Sequence, residues 1–464
     1  MIDYPRQLEL QHVHQPNGWL SPGYLRIGAD GLLESVTAEK PEGWSEQDTL
    51  SLDGFALPGM PNLHSHSFQR AMAGKTEQRS RNGDSFWSWR SSMYALAARI
   101  APEQLEAITT QLYVEMLLAG MTAVGEFHYL HRDQQGMPYE DPAELGKRII
   151  SAADRSGIAL TLLPVLYLHG GFEAAPIEGP QRRFAHEDVE DFLSTVARLR
   201  KERTSRSLLE VGIAPHSLRA VTEPELRDVI RGSADWKAPI HIHIAEQERE
   251  VAECSSALGR RPIDWLMDRF EPGPDWCLVH ATHANESELQ RLAASDAVAG
   301  LCPTTEANLG DGVFPLAAFL AAGGSFGIGS DSQISVSVAE ELRLLEYGQR
   351  LELRRRNVSA GPEQFHVGRR LYDAALAGGA RALGLMAGSL TPGRRADLVV
   401  LDPADPRLAS HGPETALDAH VFASVGSPVR DVMVGGSFVV RDGRHFLQDE
   451  ILEEYVAACR QLGT

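Results

Sequence analysis

The sequence predicts an α/β protein: a (β/α)8 TIM-like barrel with a small β-sandwich domain formed by both termini. Strand-like and helix-like patterns alternate through the middle of the 464-residue chain, which is typical of a parallel sheet. Several of these strand-like segments end in histidine or aspartate, and the carboxyl ends of barrel strands meet on the face where active sites are built. Both ends of the chain carry short alternating strands and turns instead.

The patterns divide the chain into three parts. The predicted N-terminal part of the sandwich, the barrel and the C-terminal part of the sandwich are residues 1–57, 58–386 and 387–464. In the first part, Leu8–Val13 and Tyr24–Gly28 have the pattern of strands, and Asp30-Gly31 is a hairpin signal. In the barrel, amphipathic helices are predicted at Pro102–Leu118 and from Val338 onward.

Composition and charge narrow the function classes. The formal charge of −19 at neutral pH argues against nucleic acid and anionic membranes as partners. The four cysteines lack a Cys-x-x-Cys spacing, so neither a disulfide framework nor a cysteine zinc site is indicated. The sequence shows no secretory signal and no apolar stretch near the roughly 20 residues that span a bilayer. We expect a cytoplasmic protein with a small-molecule partner; a homodimer is compatible with the sequence, which leaves the oligomeric state open.

An apolar strand-like run ends in His64-Ser65-His66. Residues i and i+2 of an extended segment point to the same side, so the two imidazoles are presented together. A second strand carries His241 and His243 on one face, with Glu246 three residues after the latter. Either histidine of this strand could be a ligand, and the spacing to Glu246 favours His243.

Two further strand ends carry polar groups. One strand-like run ends in His280, and a glycine-rich one ends in Asp331. The alternatives are that His280 is a buried, hydrogen-bonded histidine and that Asp331 caps a helix. We interpret His283 as a capping or surface residue and leave His128 and His131 unassigned.

These side chains suit one divalent metal ion, zinc above all, with iron and manganese as alternatives. The expected ligands are His64, His66, His243 and Asp331. The ion would lower the pKa of a bound water toward about 7, and Asp331 would accept the proton of that water. Glu246 would carry a proton to a departing nitrogen, and His280 would stabilise the developing oxyanion. Residues 211–219 contain no lysine for a bridging carboxylate, so a single ion and hydrolysis at an sp² carbon are predicted.

Along essentially its whole length the chain resembles the amidohydrolase superfamily. Leu57–His66 is similar to the first-strand motif of that superfamily, and His243-Ile244-Ala245-Glu246 is similar to the His-x-x-Glu of its deaminase branch. Gly393–Val400 resembles the return of the chain into the sandwich. The resemblance implies the same fold and a metal-dependent hydrolase.

Within the superfamily, the nearest resemblance is to the formimidoylglutamate deiminase family. The segments that carry it are His66–Gly74, Phe86–Arg90, Gly125–Tyr129 and Ala214–Arg219. That family, which acts in histidine degradation, hydrolyses N-formimino-L-glutamate to N-formyl-L-glutamate and ammonia. For this chain we predict attack of metal-bound hydroxide on the formimino carbon. The resemblance implies that the substrate is contacted by Gln69, Arg90, Tyr129, His216 and Arg219.

The charges of such a substrate agree with these residues. Guanidinium groups bind carboxylates through two parallel hydrogen bonds, so Arg90 and Arg219 would provide positive charge for two carboxylates in an acidic protein. Each implied contact residue could instead be packed or paired for structural reasons. Two other readings remain: a guanine- or adenosine-type deaminase of the same fold, and a non-catalytic barrel with a metal used only for folding. The presence of both Glu246 and His280 speaks against the second, and a shorter formimino substrate stays open.

Overall fold

The structure is a computed structural model that describes residues 6–79, 85–423 and 426–463. Its larger part is a barrel whose sheet has nine strand segments. Leu209–Val211 and Ala214–Pro215 both pair with the same neighbour and together form one barrel strand, so the described residues build eight strands. In chain order the barrel strands are Met60–Ser65, Met121–His128, Ala159–Leu166, Leu209–Val211 with Ala214–Pro215, Ile240–Ile244, Trp276–His280, Val298–Leu301 and Ser325–Ile328.

The barrel is parallel throughout and closes on itself. Ile328 pairs with Asn62, which joins the eighth strand to the first. Bridges from Ile213 to Ile240 and from Ser217 to His243 join the fourth strand to the fifth. All carboxyl ends therefore lie on one face of the barrel, as predicted.

The barrel strands are buried on both faces because helices cover their outer side. Every residue of Ala159–Leu166 is buried, which matches the nearly continuous apolar run expected in a parallel sheet. The helices of the chain are Phe86–Ala97, Pro102–Leu118, Glu144–Ser156, Val189–Lys201, Glu223–Ser233, Glu248–Leu258, Pro262–Phe270, Glu286–Ala294, Pro303–Leu309, Leu316–Ala321, Val338–Leu353, Val367–Ala382, Pro413–Ala423 and Gln448–Leu462. Short 3-10 helices lie at Glu46–Asp48, Ser67–Met72, Gly179–Arg183, Glu202–Ser205 and Ala234–Trp236. Among the described residues we find no helix with both the length and the apolar character of a membrane span.

A second sheet is built from both ends of the chain, and it confirms the predicted sandwich. Thr49–Pro58 lies at its centre, parallel to Gln7–Gln15 and antiparallel to Leu398–Leu401. The other strands of this sheet are Gly18–Leu20, Gly23–Ile27, Leu33–Thr37, Val429–Val434, Ser437–Arg441 and Arg444–His445. Gly31 takes the left-handed conformation, with φ of 78°, in the predicted hairpin.

The two sheets share one run of chain. Thr49–Pro58 belongs to the sandwich and Met60–Ser65 to the barrel, and Gly59 alone separates them. Alternation along the first of these strands sends Phe55 to the core of the barrel and Ala56 to the core of the sandwich.

Helices near the C-terminus were not predicted. The helix Gln448–Leu462 lies against the barrel helix Pro102–Leu118. Arg155 forms an ion pair of 2.7 Å with Glu454, and Arg99 donates a hydrogen bond of 2.8 Å to the carbonyl of Leu462. The last part of the chain therefore contributes to both halves of the molecule, and the domain boundaries drawn from the sequence stay a prediction.

Candidate active site

Three histidine side chains meet at the carboxyl-end face of the barrel. His64 and His66 come from the end of the first strand and His243 from the fifth. Nε2 of His64 lies 3.2 Å from Nε2 of His66 and 3.1 Å from Nε2 of His243. All three rings are buried. The structure thus brings together the three imidazoles that the sequence singles out.

The backbone fixes which ring nitrogens face the cluster. Nδ1 of His66 donates to the carbonyl of Phe127 at 3.0 Å, and Nδ1 of His243 donates to the carbonyl of His216 at 3.2 Å. Burial lowers the pKa of His66 to about 3 and holds the pKa values of His64 and His243 well below 6.5, so all three rings are neutral. The Nε2 atoms of His66 and His243 therefore carry lone pairs.

These lone pairs make the cluster suitable for a cation. If Nε2 of His64 carries a proton, it can donate that proton to Nε2 of His66 or to Nε2 of His243, but not to both. In at least one of these two contacts, therefore, no hydrogen bond forms and the two nitrogens repel each other. A divalent ion bound by the three nitrogens removes this repulsion, and imidazole nitrogen is a preferred ligand of zinc. The donor set therefore fits a metal ion.

Asp331 completes the cluster from the loop after the eighth strand. Its Oδ1 lies 3.3 Å from Nε2 of His66 and 3.7 Å from Nε2 of His64. Its backbone is left-handed, with φ of 46°, and its amide donates to the carbonyl of His64 at 3.0 Å. Burial raises the pKa of the Asp331 carboxyl to about 7, although His280 acts in the opposite direction. A nearby cation would favour the ionised form of this carboxyl.

His280 lies between three carboxylates. Its Nε2 is 3.7 Å from Oδ2 of Asp331 and 3.8 Å from Oε1 of Glu246, and its Nδ1 is 3.3 Å from Oε1 of Glu306. Burial opposes a charge on this ring, but Glu246, Glu306 and Asp331 together raise its pKa to about 10. In the absence of a metal, His280 is an imidazolium that can donate from both nitrogens.

Two buried glutamates behind these groups were missed by the sequence analysis. Glu306 accepts the amide of Cys302 at 2.9 Å, at the start of the helix Pro303–Leu309, and fixes His280 with the same oxygen. Glu250 accepts the amides of Ala245 and Glu246 at 3.1 and 3.0 Å. In both cases the glutamate lies a few residues after a strand end, and its carboxylate accepts backbone amides between the strand and the next helix. This spacing could have revealed both residues.

A cavity of about 60 Å³ opens above the cluster. It is lined by every candidate residue from the sequence except His64, which lies beneath it. Its remaining walls, which the sequence analysis did not predict, are Phe86, Trp89, Met93, Tyr94, Tyr167, Phe184 and Leu309. A larger cavity of about 1220 Å³ lies between the sandwich and the barrel, but none of the candidate residues lines it.

The implied substrate contacts lie together in the smaller cavity. The side-chain amide of Gln69 donates to the hydroxyl of Tyr129 at 2.7 Å. Arg90 stacks on Trp87, 4.8 Å from the ring centroid. Neither Arg90 nor Arg219 has a hydrogen bond or ion pair with any residue that the structure describes. Two guanidinium groups without a hydrogen-bonded carboxylate thus face one cavity, which is an arrangement suited to an anion.

The other histidines lie elsewhere. Nε2 of His241 is 2.7 Å from the carbonyl of Ala382, away from the cluster, so the structure favours His243 as the facing residue of this strand. His128 and His131 form a buried group with His186, with ring centroids 5.3 and 4.3 Å from that of His131. His283 is partly exposed.

Comparisons with known proteins show which family and which relatives this chain is similar to. The model of the amidohydrolase family matches residues 55–439. The chain is 52% identical over 449 residues to the formimidoylglutamate deiminase of Pseudomonas aeruginosa, covering 96% of this chain and 97% of that protein. It is 27% identical to a 5-methylthioadenosine/S-adenosylhomocysteine deaminase of Natronomonas pharaonis, covering 91% of each.

Two solved structures have a fold similar to that of this chain. An amidohydrolase from Brucella melitensis superposes with a TM-score of 0.92 at 43% identity, covering 99% of this chain and 100% of that one. A zinc-bound adenosine deaminase from Xanthomonas campestris superposes with a TM-score of 0.78 at 20% identity, covering 98% of this chain and 97% of that one. The second likeness shows the fold alone.

Proposed function

Because this chain belongs to the amidohydrolase family, we propose that it hydrolyses N-formimino-L-glutamate to N-formyl-L-glutamate and ammonia. The observation that carries this proposal is the pair of arginines that form no direct hydrogen bond or ion pair with a carboxylate of the described residues and that share one cavity with the histidine cluster. The relative that is 52% identical over nearly the whole chain is named for this deimination and supports the same conclusion.

The proposed cofactor is a single zinc ion. Its ligands in this proposal are His64 Nε2, His66 Nε2, His243 Nε2 and Asp331 Oδ1. When bound, the ion supplies an activated water at neutral pH. The carbonyls of Phe127 and His216 orient two of the rings by accepting from their Nδ1 atoms, which is the usual support of metal-binding histidines.

The substrate is held at its charged end. Arg90 and Arg219 bind its two carboxylates, because planar guanidinium groups match carboxylate geometry. Burial acts to lower the pKa of Arg219, but Glu250, Tyr167 and Glu246 raise it above its usual value, so this arginine stays charged. Arg90, which also lines the cavity, stacks on the rings of Trp87 and Tyr94, with its Cζ 4.8 and 5.2 Å from their centroids. Tyr129, oriented by Gln69, and His216 make the remaining polar contacts.

Proton transfer in the proposed mechanism involves three side chains. Asp331 accepts the proton of the attacking water through Oδ2, the oxygen that faces His280. His280 donates from Nε2 to the oxyanion that develops at the substrate carbon, while its Nδ1–H continues to donate a hydrogen bond to Glu306. The carboxylate of Glu246 takes up the proton that Asp331 accepted from water and delivers it to the departing nitrogen, and the remaining hydroxyl proton of the tetrahedral intermediate follows to the same nitrogen, which thereby gains both protons of the water. One C–O bond forms, one C–N bond breaks, and ammonia leaves.

A deaminase of nucleobases or nucleosides is the competing function. Aromatic rings such as Trp89 and Tyr94 line the cavity and could stack on a base. A neutral base, however, would form no ion pair with either guanidinium group. Two such groups in one cavity favour a dicarboxylate.

The decisive experiment measures ammonia release from N-formimino-L-glutamate, its aspartate analogue, guanine and adenosine. Chelated protein and protein reloaded with zinc are compared in parallel. We expect zinc-dependent release from the glutamate compound and much slower release from the others. Release from guanine or adenosine with none from either formimino compound would refute the proposal.

The remaining proposals concern the protein as a whole. We propose a cytoplasmic enzyme, because none of its four cysteines, all of which lie among the described residues, forms a disulfide bond, and three of them are buried. The charge of −19 supports the absence of a nucleic-acid partner. A homodimer and the division of the chain at residues 57/58 and 386/387 are also proposed.

A further inference from the structure

The loop that carries Asp331 is joined to the first barrel strand by few backbone contacts. In the ladder between the eighth and first strands, one pair of residues is in register, Ile328 with Asn62. Beyond it, Asp331 donates its amide to the carbonyl of His64 and accepts from the amide of His66, each at 3.0 Å. The cluster depends on this junction, because the junction sets the distance between the carboxylate and the two histidines.

Gln333 lies directly behind the junction and is fully buried. Its side-chain nitrogen donates to Ser65 Oγ at 3.0 Å and to the carbonyl of Asp331 at 2.5 Å. Its side-chain oxygen accepts from Ser330 Oγ at 2.7 Å. Ser330 is tied in turn to the first strand, since Asn62 Nδ2 donates to its Oγ at 2.7 Å. A single amide thus bonds to both chain segments that carry the cluster.

The hydrogen bonds beyond Gln333 run in one direction. An amide nitrogen can only donate, so Ser65 must use its own proton elsewhere. It donates to Oε2 of Glu126 at 2.6 Å, and Oε1 of Glu126 accepts the amide of Ser67 at 2.7 Å. Ser65 stands between His64 and His66, so the network grips the backbone between the two histidines. Every member is buried, which makes a broken bond costly.

We propose that Gln333 is a positioning residue of the metal centre, which holds Asp331 at a fixed distance from His64 and His66. The proposal rests on the proposed metal site. The left-handed backbone of Gln333, with φ of 63°, is consistent with a residue that is kept for its contacts despite an uncommon conformation.

The chain offers a matched control in Gln349. This glutamine is also buried, and its side-chain amide also bonds to backbone: its nitrogen donates to the carbonyl of Phe314 at 2.9 Å, and its oxygen accepts the amide of Ala317 at 3.1 Å. It lies outside the site. Gln349→Ala should therefore reduce stability as Gln333→Ala does, without any effect on the distance between the ligands.

The experiment measures zinc affinity by competition with a chromophoric chelator, using apo-protein of the wild type, Gln333→Ala, Gln333→Glu and Gln349→Ala. Thermal unfolding of each apo-protein is recorded in parallel. Gln333→Glu keeps the shape of the side chain but loses the donor to Ser65 and to Asp331, and it serves if the alanine variant does not fold. Substrate is absent, so the result does not depend on the assigned reaction.

We expect both Gln333 variants to bind zinc about 10- to 100-fold more weakly, as is typical when a residue that orients metal ligands is lost. Gln349→Ala should bind zinc within about twofold of the wild type, even if it unfolds at a lower temperature. Wild-type affinity in Gln333→Glu, or an equal loss in Gln349→Ala, would overturn the proposal. Weak zinc binding by the wild type itself would instead refute the proposed metal site.

Discussion

The replacement of Glu246 by glutamine tests the proposed proton donor. Glu246 lies 3.8 Å from Nε2 of His280, and glutamine keeps its shape but removes its charge. At an effective dielectric constant of about 20, two unit charges at this separation interact with about 4 kcal/mol. The pKa of His280, raised to about 10 in part by Glu246, should therefore fall toward neutrality. We expect kcat to fall by about 100- to 10,000-fold, which is the range for loss of a general acid or base.

The assay follows ammonia release at several pH values and zinc per chain by elemental analysis. Zinc should remain stoichiometric in Glu246→Gln, because this residue is outside the proposed ligand set. Glu248→Gln is the matched control, since Glu248 is exposed and two positions further along the chain. Turnover within threefold of the wild type, or a loss of activity that merely follows a loss of zinc, would refute the role assigned to Glu246.

Three further predictions concern the substrate, the metal and pH. Arg90→Gln and Arg219→Gln should each lower kcat/KM for N-formimino-L-glutamate by about 30-fold or more, since loss of one partner of a buried charge pair costs about 2 kcal/mol or more. The exposed Arg355→Gln is their control, and equal losses on a formamidine without carboxylates would contradict charge recognition. Chelation should abolish ammonia release and one equivalent of zinc should restore it; active protein without stoichiometric metal would contradict the proposed cofactor. The pKa of Asp331, about 7 without metal, means that zinc must displace a proton below pH 7, so its apparent affinity should fall by about tenfold per pH unit. His66, with a pKa of about 3, adds nothing in that range, and calorimetry at pH 6 should count about one released proton per zinc. Zinc binding without proton release would contradict the assignment of Asp331 as a zinc ligand.

Functional groups that end a strand could be predicted from the sequence. His64, His66, His243, His280 and Asp331 all follow apolar runs, and the geometry of a parallel barrel requires such ends to converge. Which neighbouring histidine faces the cluster was harder to predict, because two histidines two residues apart share one face of a strand. The spacing to the following glutamate favoured the residue that the structure places in the cluster.

The residues that sequence reasoning missed come from helices and loops. Glu306 and Gln333 reach the site only because the turns that carry them are folded back against the strand ends. The aromatic wall has the same origin, since Trp89 and Tyr94 lie on the helix Phe86–Ala97, whose docking depends on tertiary packing. Nothing in the local pattern of such residues distinguishes a wall of the cavity from an ordinary core position.

The direct connection between a strand of the sandwich and the first strand of the barrel has a practical consequence for work on this enzyme. The strand Thr49–Pro58 is pinned between Gln7–Gln15 and Leu398–Leu401, and the chain needs only Gly59 to reach the strand that ends in the first two histidines. A minimal barrel made by deleting the terminal sheet would lose the strands that hold the start of the first barrel strand, a few residues from the catalytic centre. Engineering of the termini is therefore also engineering of the active site.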